Sequence, residues 1–169
     1  MTDFISQGLG IIGAAFNISS FQLKSNKKLI LFQFLGSAFF LLNYFLLGAF
    51  TGCFMNGAGT LRGLIFLKGD KARKPYILVI LNLLLVIGTL LTWEGVLSIL
   101  PLIGMLTMTT VMYLNNGKLI RMGQLFIASP CWLVYNFTSG TIGGTICEVF
   151  IIVSAVISFI RYGMDSFEK

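Results

Sequence analysis

The sequence predicts an all-α integral membrane protein with seven transmembrane helices. Hydrophobic residues make up 56% of its 169 residues and charged residues only 11%, whereas about one quarter of a soluble domain is charged. Seven apolar stretches approach the roughly 20 residues that a helix needs to cross a bilayer. These stretches are residues 4–21, 29–47, 50–67, 76–91, 96–113, 119–137 and 142–162.

Short polar or glycine-containing breaks separate the seven stretches and end each helix. Because each break is short, neighbouring helices are expected to run antiparallel and lie side by side. The first stretch follows Met1, Thr2 and Asp3 rather than the basic residues of a signal peptide, so we expect it to remain as a helix. The breaks are residues 24–28, Gly48 with Gly52, residues 68–71, 92–95 and 115–117, and Gly140 with residues 143–144.

Basic residues alternate from one connection to the next. No Lys or Arg occurs at the N-terminus or in the connections after the second, fourth and sixth helices. The charged residues there are Asp3 and Glu94. Since Lys and Arg accumulate in short cytoplasmic loops, the N-terminus is predicted outside and the C-terminus in the cytoplasm. One missed helix would invert the later part of the pattern, so the alternation also supports seven helices. The basic residues are Lys24, Lys27, Lys28, Lys68, Lys71, Arg73, Lys74, Lys118, Arg121, Arg161 and Lys169.

The last third of the chain repeats features of the first third at a shift of about 91 residues. Two three-helix units follow, residues 4–67 and 96–162, with a connector of residues 68–95 that contains the fourth helix and a cytoplasmic tail of residues 163–169. Because the connector contains a single helix, the two units enter the membrane from the same side and are parallel. Secondary transporters with parallel repeats have a substrate site between the units. The alternative is a duplication that only builds a stable bundle. The matching pairs are Gly13 and Gly104, Lys28 and Lys118, Gln33 and Gln124, Phe45 and Phe137, Gly48 and Gly140, and Gly52 and Gly144.

Ionisable and amide side chains lie within the apolar stretches, where an unpaired polar group costs several kcal/mol. Arg62 is either a functional residue or an anchor whose long side chain reaches the inner interface. Glu148 either faces a hydrated cavity, as a solute contact or proton-coupling group, or is protonated. The amides are expected to face protein or cavity, with an interhelical hydrogen bond for Asn82. They are Asn17, Asn43, Asn56, Asn82 and Asn136.

Several of these residues match the motifs of a known superfamily. Residues 132–135, Trp-Leu-Val-Tyr, match its tryptophan-tyrosine pattern on the second helix of a unit, with Phe40 as the counterpart in the first unit, and Asn56 matches its pocket asparagine. With these residues and a 3-1-3 arrangement over nearly the whole chain, the protein resembles the SWEET, SemiSWEET and PQ-loop superfamily. It is most similar to the bacterial inner-membrane family of YgjV type.

Two features depart from the superfamily pattern. Glu148 occupies the position equivalent to Asn56 in the second unit, which disfavours a neutral sugar as the solute. The proline-glutamine pair that names the PQ-loop group is replaced by Phe21-Gln22 and by residues 113–114, Tyr-Leu, so a proline hinge is not expected.

The resemblance implies a carrier, either a uniporter or proton-coupled, that moves a small polar metabolite such as a sugar or a vitamin-like solute. The alternative is a membrane scaffold or regulatory protein that keeps the fold but does not transport. The expected location is the bacterial inner membrane, and whether copies associate into a homo-oligomer is left open. The predicted solute-binding residues are Phe40, Asn56, Trp132, Asn136 and Glu148.

Other function classes are disfavoured by composition. The chain has no histidine, which removes the usual general base and zinc ligand, so we expect no enzyme activity, no metal and no cofactor. The net charge of +6 comes from lysines and arginines scattered in short loops, and binding nucleic acid needs a basic face. The expected partners are therefore the solute and the lipid bilayer, not a nucleic acid.

Overall fold

The computed structural model describes residues 2–138 and 142–162, and in these ranges the chain forms seven helices and no strand. All seven predicted helices are present, and the largest shifts, three residues each, are at the starts of α2 and α5. A 3₁₀ turn, Val96–Ser98, fills the difference before α5. The predicted break at Gly140 and the tail of residues 163–169 lie outside the described residues. The helices are α1 (Thr2–Ser20), α2 (Asn26–Leu47), α3 (Phe50–Leu67), α4 (Pro75–Leu91), α5 (Ile99–Leu114), α6 (residues 117–138) and α7 (Ile142–Tyr162).

Local chemistry sets several helix ends. Gly48 ends α2 in the left-handed conformation, with φ of 72°, which glycine adopts without steric cost. Pro75 begins α4 at a position where its missing N–H is not needed. Asn116 caps α6, because its side-chain oxygen accepts a hydrogen bond of 3.1 Å from the backbone N–H of Leu119. The sequence breaks therefore act as real helix stops.

Six of the helices form a closed ring of neighbours. Helix α1 packs against α2 and α7, α2 against α3, α3 against α5, α5 against α6, and α6 against α7. Helix α4 lies outside this ring, against α3 and α5. The order places α3 and α7 opposite each other, and it encloses a central space.

The exterior of the ring is apolar. Leu91 and Ile160 are each 80% exposed, and many other large aliphatic and aromatic side chains face outward. Three helical segments, Asn26–Leu47, Val96–Leu114 and Gly144–Arg161, are long and apolar enough to cross a membrane, and Phe4–Ser20 and Pro75–Leu91 are shorter apolar helices. An apolar exterior of this kind fits lipid as the surrounding medium.

The basic connections meet at one end of the bundle. Asn26 donates a hydrogen bond of 2.8 Å from Nδ2 to the backbone oxygen of Asn115, and Arg73 Nη2 donates one of 3.2 Å to Asn115 Oδ1. The Arg121 guanidinium, which is fully buried, donates to the backbone oxygen of Leu23. The connections after α1, α3 and α5 therefore share one end, as the charge pattern predicts.

The opposite end has a different composition. The Thr51 hydroxyl donates to the backbone oxygen of Thr92, and the Tyr135 hydroxyl donates a hydrogen bond of 3.0 Å to Glu94 Oε2. The start of α3, the connection after α4 and the end of α6 are thereby brought together. This end contains an acidic residue and lacks the lysines of the other end.

Helix α4 is held to the ring by close packing at a glycine. A Cβ atom at Gly88 would lie 1.8 Å from Cε1 of Phe54 on α3, so no larger residue fits without moving that ring. We expected Asn82 on α4 to form an interhelical hydrogen bond, but its Oδ1 is buried without a partner. Packing, rather than that amide oxygen, attaches α4.

We predict that Gly88→Ala lowers the free energy of unfolding by about 1–3 kcal/mol, because the added methyl group displaces the Phe54 ring. The matched control is Gly8→Ala, where nothing lies within 4 Å of the added atom. Since alanine favours a helix by up to about 1 kcal/mol, this control should be neutral or stabilising. Unfolding of the purified protein in a detergent titration measures both, and equal stability of the two variants would contradict the packing argument.

Candidate functional site

A polar cavity of about 70 Å³ lies inside the ring. The described residues that line it come from all six ring helices and from the connection after α1, and none belongs to α4. The five residues predicted from the sequence, Phe40, Asn56, Trp132, Asn136 and Glu148, all line this cavity. The other lining residues are Asn17, Phe21, Gln33, Ser37, Tyr44, Arg62, Met105, Met108, Gln124, Ala128, Gly144 and Ile151.

The cavity occupies the middle of the bundle. Asn56 and Glu148 each lie six residues after the first residue of their helix, which is a depth of about 9 Å at 1.5 Å per residue. Arg62 lies twelve residues into α3, at a depth of about 18 Å. Because a bilayer core is about 30 Å thick, these side chains span its central third.

Glu148 is 9% exposed and has one polar contact in the cavity wall. Its carboxyl group interacts with the Ser129 hydroxyl, and Ser129 Oγ accepts a hydrogen bond of 2.8 Å from Gln124 Nε2. The glutamine therefore directs the serine proton towards Glu148. Oε2 of Glu148 is buried and has no hydrogen-bond partner, so one carboxyl oxygen is left to bind a proton, water or solute.

Arg62 is 5% exposed and points into the same cavity. Its Nη1 donates a hydrogen bond of 3.2 Å to Thr109 Oγ1 and lies 3.9 Å from Met105 Sδ. The Thr109 hydroxyl donates its own proton to the backbone oxygen of Met105, so its oxygen is free to accept from Arg62. Nε of Arg62 has no partner. The structure thus places the guanidinium in the cavity instead of at the inner interface, the other position considered from the sequence.

An aromatic cluster forms the wall nearer the end that carries Glu94. The Trp132 ring packs edge-on against Tyr135, with ring centroids 5.9 Å apart, and lies 6.4 Å from the Tyr44 ring. The Tyr44 hydroxyl donates a hydrogen bond of 2.8 Å to Oδ1 of Asn136, which is 2% exposed. Asn136 therefore joins α6 to α2 through its oxygen, and only its amide nitrogen remains to contact a solute.

Asn56 presents the opposite group to the cavity. Its Nδ2 donates a hydrogen bond of 2.9 Å to the backbone oxygen of Gly52. This contact uses one of the two N–H donors within α3, and Oδ1 can accept a hydrogen bond. Asn56 and Glu148, which are at equal depth on opposite helices, both offer oxygen acceptors to the cavity.

Sequence reasoning missed several lining residues, some of which left a signal. Gln33 and Gln124 matched each other in the internal repeat, but we used them only to define that repeat. Tyr44 lies one helical turn after Phe40, a spacing that places both on one face of α2. Arg62 was named, but its direction depends on its rotamer, which the sequence does not encode.

Comparisons with known proteins agree with a membrane location. The model of the Imp-YgjV family, described as bacterial inner membrane protein, matches residues 4–166. Inner membrane protein YgjV of Escherichia coli (strain K12) is 25% identical over 171 residues, which cover 98% of this chain and 91% of that protein. No solved structure gives a significant match. The family match covers every described residue of the cavity.

We predict that Tyr44→Phe destabilises the protein by about 1 kcal/mol, as interhelical hydrogen bonds in membranes do, because Asn136 Oδ1 loses its donor. The control is Tyr76→Phe, since Tyr76 is 63% exposed and lies outside the cavity. The free energy of unfolding in a detergent titration is the measurement. A loss of equal size in both variants would show that the hydrogen bond does not stabilise the bundle.

Proposed function

Because the chain belongs to the Imp-YgjV family of bacterial inner membrane proteins, we propose that it is a multi-pass carrier that moves a small polar solute across that membrane. The solute binds in the central cavity, and access alternates between the two sides. We further propose that the helices form two parallel three-helix units around the α4 connector, as in the SWEET, SemiSWEET and PQ-loop superfamily.

The observation that carries the proposal is a polar cavity with incompletely paired charged groups inside an apolar bundle. Ionisable side chains in a membrane cost at least about 2.5 kcal/mol each, and nearly all buried polar atoms in proteins have partners. Here Arg62 Nε and Glu148 Oε2 are buried without one. A hydrated site that receives a solute explains why both groups are kept.

The helix neighbours support two related units. A two-fold rotation that exchanges α1 with α5, α2 with α6 and α3 with α7 turns the α1–α7 contact into the α5–α3 contact, and both contacts are present. At a shift of 92 residues, Tyr44 and Asn136 hold equivalent positions and hydrogen bond to each other. Bonding between equivalent positions is expected for residues close to a two-fold axis.

A local irregularity in α6 also supports this relation. The repeat shift is 91 at the Gln33 and Gln124 pair but 92 at the Phe45 and Phe137 pair. Between these positions α6 contains a π-helical turn, Gln124–Ala128. A π turn accommodates one extra residue within an α-helix, so it accounts for the change in shift.

The rival function is a scaffold or regulatory protein of the same fold. Such a protein is expected to have a filled centre with its polar side chains paired to each other. The cavity and the two unpaired atoms favour the carrier. We propose no enzymatic activity, because the cavity offers one carboxylate and the chain has no histidine to act with it.

The proposed orientation has the basic end in the cytoplasm, the N-terminus outside and the C-terminus inside. In a variant with the three native cysteines replaced by serine, a cysteine at Trp93 should react with a membrane-impermeant maleimide added to intact cells. A cysteine at Lys71, at the other end, should react only after lysis. The reverse labelling pattern would contradict the orientation.

Uptake into proteoliposomes tests the carrier. We expect Glu148→Gln and Trp132→Ala to lower the initial rate of uptake at least about tenfold, the loss of roughly 1.4 kcal/mol of solute or transition-state binding. The panel consists of radiolabelled sugars, amino acids, organic acids and vitamins. Matched controls outside the cavity are Glu94→Gln and Trp93→Ala, which should keep the wild-type rate.

Two outcomes would contradict the proposal. Unchanged uptake in both cavity variants would exclude the proposed site. No uptake of any solute above protein-free liposomes, with protein that unfolds cooperatively, would exclude the carrier and favour the scaffold.

A further inference from the structure

Two side chains that carry opposite charges when ionised face one cavity without contacting each other. Arg62 is on α3 and Glu148 is on α7, the helices that lie opposite each other in the ring. Both side chains line the cavity, and no hydrogen bond or ion pair joins them. No other charged side chain is among the described residues that line it. When both groups are ionised, neither has an opposite charge in contact with it.

The neutral partners that are present cannot balance these charges. Arg62 contacts the Thr109 hydroxyl and the Met105 thioether, and Glu148 contacts the Ser129 hydroxyl. A charge-assisted hydrogen bond to an opposite charge is roughly twice as strong as one between neutral groups. A solute that brings an anion to Arg62 and a cation to Glu148 satisfies both groups at once.

The two ends of the cavity differ in the groups that they offer. At a depth of about 9 Å, Glu148 and Asn56 both offer oxygen acceptors, since one Asn56 N–H is directed to Gly52 and its Oδ1 can accept. At a depth of about 18 Å, Arg62 offers N–H donors. An ammonium group fits the first level, where the nearby Trp132 ring adds a cation–π surface. A carboxylate fits the second level.

The size of the cavity limits the solute. About 70 Å³ holds on the order of five water molecules, which is comparable to the smallest amino acids. The ammonium and carboxylate groups of such a molecule are a few bonds apart. The long side chain of Arg62 can extend from its own level towards the level of Glu148 and Asn56, which shortens the distance that the molecule must span. A neutral sugar would leave both charges without a counter-charge, and a simple acid or amine would leave one.

We propose that the solute is a small zwitterion of amino-acid type, bound with its ammonium group at Glu148 and Asn56 and its carboxylate at Arg62. The proposal deepens the carrier function and rests on it for transport, but binding can be tested separately. In the sequence alone, Glu148 disfavours a neutral sugar but does not indicate a zwitterion. A zwitterion also requires Arg62 to face the cavity, and the sequence left the direction of Arg62 open.

The first experiment compares four pools of small molecules with the purified full chain. They are glycine, alanine and serine; the corresponding carboxylic acids without the amino group; the corresponding amines without the carboxyl group; and neutral sugars with polyols. Thermal stabilisation in detergent measures binding, and proteoliposome uptake measures transport. We expect the amino acids to be bound and taken up at least about tenfold better than each other pool, which is about 1.4 kcal/mol.

Two variants separate the charged ends. Glu148→Gln should remove the preference for amino acids over the acids that lack the amino group, while the preference for carboxylates over amines remains. Arg62→Gln should remove the preference for amino acids over amines. Glu94→Gln and Arg161→Gln, which change charges outside the described cavity lining, should keep the wild-type order. If a cavity variant fails to fold, the order in which the wild-type protein binds and takes up the four pools decides whether the solute is a zwitterion.

The outcomes distinguish this proposal from the carrier itself. Uptake of sugars, acids or amines in preference to amino acids keeps the carrier and overturns the zwitterion. Preference for the acid pool would indicate that Glu148 binds a proton instead of an ammonium group. Amino-acid binding without any uptake keeps the site and overturns the carrier. Absence of both binding and uptake overturns both proposals.

Discussion

In hydrocarbon, a polar atom without a partner costs several kcal/mol because no water is present to replace the missing hydrogen bond. This constraint separates the outside of the bundle from its inside. Apolar side chains such as Leu91 and Ile160 face outward, and polar ones such as Gln33, Asn136 and Glu148 face inward. The interior is thus richer in polar contacts than the surface, and the helices associate through polar pairs as well as through shape.

The polar pairs also order the helices around the ring. Asn43 Nδ2 donates a hydrogen bond of 2.7 Å to the backbone oxygen of Ser6, and the Ser6 hydroxyl is 3.3 Å from the backbone oxygen of Asn43. This reciprocal pair fixes α1 beside α2. Glycines bring helices close elsewhere, since a Cβ atom at Gly36 would lie 2.5 Å from Asn17 Oδ1. Small residues and amides together select neighbours that hydrophobicity alone would not distinguish.

Hydropathy and loop chemistry predicted the helices well, because both act over local sequence. Gly48 and Pro75 mark helix ends wherever the helices later pack. The direction of Arg62 could not be predicted in this way, since a long side chain reaches either the interface or the centre from the same backbone position. The unpaired Oδ1 of Asn82 has a similar cause. It depends on what the neighbouring helix offers at that depth, which is a tertiary property.

The five predicted site residues, which came from the superfamily motifs and the sequence repeat together, share one cavity. Phe40 and Trp132, and likewise Asn56 and Glu148, are 92 residues apart in the sequence repeat, and each pair lines the same cavity although the side chains differ. Tyr44 was not predicted as a site residue, although it is 92 residues before Asn136 in the repeat, because the two residue types differ. Equivalence of position is therefore a better guide to such a site than identity of residue.

Hydrogen bonds join the two proposed units at both ends of the bundle and also in the cavity wall, where Arg62 contacts Thr109. Tyr44 and Asn136 join them at one end, and Asn26 with Asn115 and Arg121 with Leu23 join them at the other. Single interhelical hydrogen bonds in membranes contribute only about 0.6 kcal/mol on average. Breaking the hydrogen bonds at one end while the other end holds therefore costs little. A solute that contacts both Arg62 and Glu148 would connect α3 to α7 across the middle of the bundle, where these two side chains do not contact each other, and so would favour the arrangement in which both ends are closed around it.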